Sequence, residues 1–142
     1  MIIFKIFLIF LIIFNCKAKR LLFFINKYYI GVKGTITCKF SSRDDAYVSI
    51  TAKPRDTYEK RPIFSARVNY GKSFFLKTKV KGIRKPRLFL RIVHSCVKVN
   101  FFSNDKFVVR RYVEEIPAKY IVKNYLTGAI YNRGNIELSR IR

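Results

Sequence analysis

A single histidine, His94, and eight carboxylates stand among 142 residues that carry 30 lysines and arginines. That shortage removes most catalytic arrangements. No second imidazole exists for a histidine-rich metal set, and one imidazole with one thiol does not complete a zinc site. His94 therefore reads as a structural residue beside Cys96, with polarisation of a bound group as the rival reading. Glu114 and Glu115 form an acid pair, but adjacent strand residues point to opposite faces. They read as solvated or salt-bridged rather than as partners on one substrate. No catalytic residue, metal site or cofactor follows. Long apolar runs are also missing. The unbroken run 6–14 has nine residues, where crossing a bilayer takes roughly 20. There is no internal repeat and no low-complexity linker. Tyrosine and phenylalanine are plentiful, yet no RNA-binding aromatic signature accompanies them, so no specific nucleic-acid partner is indicated.

What is present begins with a leader. Lys5 precedes the apolar run, and Cys16-Lys17-Ala18 places small residues on either side of one residue, as a secretory cleavage site requires. The expectation is a signal peptide at 1–18, a basic and apolar lead-in at 19–28 and one domain at 29–142, giving a secreted, extracellular protein. An uncleaved anchor is the rival, aided by the apolar patch 21–25. Cleavage removes Cys16 and leaves Cys38 and Cys96, which in an oxidising compartment read most simply as one disulfide. Two buried free thiols are the alternative. Of the cations only Lys5 and Lys17 are lost from a net charge of +22, leaving +20. Such charge repels itself and, outside the cell, meets anionic lipid, sulfated glycan or free nucleic acid.

Beyond the leader the chain alternates in strand fashion. Strands are expected at about 29–40, 47–53, 63–68, 73–80, 88–96 and 107–116, with a last kinked strand within 128–139. Asn69-Tyr70-Gly71-Lys72 carries a hairpin signal, because Gly71 takes positive φ freely. About seven short strands separated by turns indicate an all-β, two-sheet sandwich. The expected core is Ile36, Val48, Ile50, Phe74, Leu76, Leu88, Leu90, Ile92, Val109 and Ile136. Residues 97–105 form a connection of undefined form.

One strand has a chemically uniform face. Phe74, Leu76, Thr78 and Val80 alternate with Phe75, Lys77, Lys79 and Lys81. If the following strand is its hairpin partner, Arg87, Phe89 and Arg91 join the outward side and Lys85 sits in the turn. Lys77, Lys79, Lys81, Lys85, Arg87 and Arg91 are then the candidate anionic-ligand site. Each cation is worth about 1 kcal/mol near an anionic membrane, and arginine grips phosphate or sulfate bidentately. A merely solvated cationic face is the competing reading.

Several segments in order carry a resemblance. They are Val32-Lys33-Gly34-Thr35-Ile36-Thr37-Cys38, Asn69-x-Gly71-x-x-Phe74, His94-x-Cys96, Ile116-Pro117-Ala118-Lys119-Tyr120-Ile121, and 128–138. Together they resemble the secreted transthyretin-like family of nematodes. The resemblance implies a transthyretin-like, immunoglobulin-like β-sandwich in which His94, Ile116, Pro117 and Tyr120 mark the fold. It also implies a secreted binding or signalling role, with anionic cell-surface lipid among the ligands. A cysteine that the family often carries falls at position 108, where this chain has valine. That leaves Cys38 as the mature partner for Cys96. A transthyretin-shaped hydrolase uses more histidines and a C-terminal Tyr-Arg-Gly-Ser, whereas this chain ends Ser139-Arg140-Ile141-Arg142. The expected function is non-enzymatic binding of anionic lipid or sulfated glycan through the basic strand. The alternatives are a protein-ligand or signalling module acting through loops such as 56–62, with an extracellular protein partner, and, further off, a hydrolase that depends on His94.

Overall fold

The computed structural model describes residues 2–22, 25–40, 45–55, 61–97, 109–123 and 130–140. The N-terminal segment is one helix, α1 (Ile2–Leu22), and side chains 3–14 are all exposed. Among the described residues no helix is long and apolar enough to cross a membrane. The expected cleavage point after Ala18 falls inside α1.

Seven strands follow: β1 (Asn26–Thr37), β2 (Asp45–Thr51), β3 (Phe64–Asn69), β4 (Ser73–Gly82), β5 (Phe89–His94), β6 (Arg110–Glu115) and β7 (Ile130–Glu137). They form a three-stranded sheet, β4-β1-β7, and a four-stranded sheet, β3-β2-β5-β6. All pairings are antiparallel except β1 with β7, which is parallel. Strand alternation explains the burial. Tyr28, Ile30, Val32 and Ile36 of β1 point inward with Phe74 and Leu76 of β4, while Val48, Ile50, Leu90 and Ile92 answer from the other sheet. Burying a side chain of this size contributes roughly 1.5–3 kcal/mol. Nine of the ten expected core residues are buried. Val109 is 66% exposed, because pairing of β6 begins only at Arg110.

The turns correct the expected strand partners. Gly71 takes φ 81°, and the Lys72 N–H donates to the Asn69 carbonyl at 3.1 Å. This tight turn does not make a hairpin within one sheet. It carries the chain from β3 in one sheet to β4 in the other, and the Gly71 N–H donates to the Ile36 carbonyl of β1 at 2.7 Å. The β4–β5 connection also changes sheets, so β5 is not the neighbour of β4.

The residues singled out by the resemblance sit at such crossings. The Ile116 N–H donates to the Leu88 carbonyl at 2.8 Å. Pro117 then opens a 3-10 turn, Ala118–Tyr120, and Val122 exchanges two hydrogen bonds with Tyr29 of β1. Ile116 and Ile121 are each 1% exposed on either side of this turn, so the segment seals one flank as it passes between sheets. Tyr120 packs against Tyr131 of β7, with ring centroids 5.1 Å apart. Cys38, just past β1, is disulfide-bonded to Cys96, just past β5, across a separation of 58 residues. The His94 Nδ1 accepts the Cys96 N–H at 3.2 Å, so the histidine holds the backbone that presents Cys96 to its partner.

Candidate functional site

The outer face of the β4-β1-β7 sheet collects the chain's most uniform surface chemistry. Lys77, Lys79 and Lys81 project from β4 at alternate positions, all exposed, above a strand whose inward residues Phe74 and Leu76 are buried. Alternate residues of a strand rise roughly 6.8 Å, so the three cations form a spaced row. The neighbouring β1 extends it. Lys27 lies opposite Lys81, Tyr29 opposite Lys79, Gly31 opposite Lys77, and Lys33 opposite Phe75. Among the described residues Glu137 is the carboxylate on this face. It stands at the far end of β7, held by hydroxyls of Thr37 and Ser139 that lower its proton affinity.

At the centre of the face Gly31 leaves a gap. A Cβ there would lie 3.3 Å from Ile130 Cγ1 and 3.6 Å from Phe75 Cε2, so both side chains lean across the glycine from the flanking strands. Phe75 is 55% exposed. Toward the C-terminal half of β1 the register with β7 shifts between Lys33 and Gly34, where Gly134 adopts φ 71°. This bulge opens a groove of about 420 Å3, lined by Lys33, Thr35, Ser73, Phe75 and Asn132.

The structure brings together only half of the expected cationic site. Lys77, Lys79 and Lys81 are in place. Lys85 lies in the connection and donates to the Ala118 carbonyl at 3.0 Å. Arg87 faces the other sheet, pairs bidentately with Glu115 at 2.9 and 2.7 Å, and stacks over Phe89 at 5.9 Å. Arg91 is not outward-exposed. It is 3% exposed on the outer side of the four-stranded sheet, with its Nε 3.4 Å from Ser49 Oγ and with Ser49 and Thr51 buried beside it. Phe89 leaves the site with them. Lys27 and Lys33, which sequence reasoning missed, belong to it, because β1 and not β5 is the partner of β4. The outward alternation of β1 marked both lysines, but nothing in the sequence named the neighbouring strand.

A second polar cluster joins the two sheets at their β6 and β7 edges. The Glu114 carboxylate accepts from Tyr112, Tyr131 and the Arg133 Nε, and the Arg133 Nη2 donates to the Tyr112 hydroxyl at 3.1 Å. Burial pushes the Glu114 carboxyl up. The hydrogen bonds from Tyr112, Tyr131 and Arg133, with the arginine's charge, more than offset this and hold it below the usual range. Burial and the bond to Glu114 push Tyr131 up to about 12. Glu114 is thus a clamp between sheets, while Glu115, on the opposite face, takes Arg87.

His94 is 2% exposed. Burial, with the nearby Arg110 charge, pushes its proton affinity down, so it is neutral at pH 7. Its Nε2 has no hydrogen-bond partner among the described residues. No three His, Cys, Asp or Glu side chains gather there as a metal set, again among the described residues. The loop proposed for protein recognition, 56–62, lies outside the described residues except for Arg61 and Pro62. No family model matches the chain, and no curated protein does.

Proposed function

We propose that the chain is a divergent, secreted transthyretin-like protein that binds anionic surfaces through the outer face of its β4-β1-β7 sheet, without catalysis. One observation carries this reading. Lys77, Lys79 and Lys81 share a face with Lys27 and Lys33 of the adjacent strand; among the described carboxylates Glu137 stands at the far end of that face, and Asp45, Glu114 and Glu115 are engaged elsewhere, with Arg67, Arg133 and Arg87. Five cations over two neighbouring strands form a flat positive surface. A phosphate or sulfate layer meets such a surface at about 1 kcal/mol per cation before screening. The burial of His94 against the Cys96 N–H supports a structural role for the lone imidazole. The Cys38–Cys96 bond supports an oxidising compartment.

Vesicle flotation tests the reading. The protein is expected to float with vesicles containing phosphatidylserine, or to be retained on a sulfated resin, and to be released by moderate salt. Lys77→Glu with Lys79→Glu removes binding, whereas Lys85→Ala and Arg87→Ala leave it intact because both lie off the face. Equal recovery with neutral and acidic vesicles, together with no retention on the sulfated resin, would end the proposal.

A further inference from the structure

The lysine row alone does not distinguish a lipid headgroup layer from a sulfated glycan, but the groove beside it does. A headgroup layer is recognised by charge and by apolar side chains that enter the acyl boundary. The groove supplies a different set. Thr35 and Ser73 offer hydroxyls and Asn132, whose Oδ1 accepts the Gly134 N–H at 3.2 Å, offers its amide N–H groups, all along a shallow, open groove of about 420 Å3 beside the Gly134 bulge. Neutral hydroxyl and amide groups that both donate and accept match the hydroxyls of a sugar. Phe75, 55% exposed, is among the residues that line the groove. The electron-rich face of an aromatic ring suits the C–H face of a pyranose. Lys33 stands directly opposite Phe75, and Lys77 follows two residues along β4 on the same face.

Resting on the reading above, we infer that the groove is a subsite for a sulfated glycan. One sugar ring stacks on Phe75, its hydroxyls bond Thr35, Ser73 and Asn132, and its sulfates meet Lys33 and Lys77. The chain of the glycan then runs along β4 over Lys79 and Lys81. Specificity resides in the groove, and the lysine row adds reach and salt dependence.

The test uses the full chain with a heparin hexasaccharide, its desulfated counterpart and phosphatidylserine vesicles. Phe75→Ala and Asn132→Ala change exposed side chains, and circular dichroism checks that each variant is folded. Each is expected to weaken hexasaccharide binding by about fivefold or more, the size of one lost contact, while vesicle binding stays as in the parent. Lys79→Ala lowers both. Desulfated hexasaccharide binds far more weakly than the sulfated one. If folded Phe75→Ala and Asn132→Ala bind the hexasaccharide as the parent does, the subsite is overturned. Binding of the parent to vesicles but not to the hexasaccharide overturns the subsite and leaves the anionic-surface reading standing. Binding to neither removes both.

Discussion

Lys27 and Lys81 stand directly opposite each other on adjacent antiparallel strands, both exposed. Like charges so placed destabilise a sheet by roughly 0.2–1 kcal/mol, a cost that a chain selected only for stability would remove. Lys81→Glu is therefore expected to stabilise the protein by up to about 1 kcal/mol in low-salt urea denaturation. The gain should shrink at high salt as the pair is screened, and retention on a sulfated resin should fall. A variant that is both less stable and no weaker in binding would show that the pair has neither role.

The Cys38–Cys96 bond closes a loop of 58 residues and links the end of β1 in one sheet to the end of β5 in the other. In the chain-entropy view this is worth about 4 kcal/mol. Cys38→Ala with Cys96→Ala should lower unfolding stability by about that amount, and reductant should have the same effect on the parent and none on the variant. Intact mass before and after reduction and alkylation checks the bond directly and shows whether the chain is cleaved after Ala18.

His94 ties the disulfide to pH. Burial lowers its proton affinity in the folded state, so the unfolded chain binds a proton that the folded chain refuses. Stability is then fully present above the unfolded value near 6.5 and declines as pH falls below it toward the folded value. His94→Ala removes this slope below about pH 6.5. It also leaves the Cys96 N–H without its acceptor, at a cost of about 1–3 kcal/mol at pH 7. Urea midpoints across that range measure both effects.

The Glu114 clamp sets a separate, more acidic limit. Its folded carboxyl sits below the usual range, so its contribution is present above the unfolded value near 4.3 and is lost as pH falls through the folded one. The side chains of Glu114 and Arg133 are 25% and 35% exposed, and solvent screening holds the contribution near about 1 kcal/mol. Glu114→Gln should cost about that much at pH 7 and flatten the acid limb below about pH 4. Tyr131→Phe should weaken the same limb less. An unchanged limb in Glu114→Gln would place acid sensitivity elsewhere.

The alternation Phe74-Phe75-Leu76-Lys77 gave β4 and its outward face, because a period of two is a local property of the chain. It did not give the neighbouring strand. A Gly-containing tight turn serves equally for a hairpin and for a step between sheets, and at Gly71 the second occurs. The connection from β4 to β5 makes the same step, and this displaced Arg87 and Arg91 from the site and hid Lys27 and Lys33. Arg91 was placed on the correct side of its strand, yet burial of an outer face depends on what crosses it, which alternation does not encode. The same holds for Glu114. Its separation from Glu115 was legible, but Tyr131 and Arg133 reach it from the other sheet. Val109 failed for a simpler reason, since the residue just before a strand borrows the strand's pattern without its pairing.

The parallel pairing of β1 with β7 has a consequence for how the molecule is made. Thr37 and Glu137, hydrogen-bonded side by side, are 100 residues apart in the chain. The four-stranded sheet and the disulfide need nothing beyond Glu115 and can assemble while the chain is still emerging. The other sheet waits. Until β7 arrives, β1 has one open edge, and a long unpaired edge is a template for the wrong partner. Removal of the chain from Ile130 onward is therefore expected to leave β1 with an open edge and a product prone to aggregate.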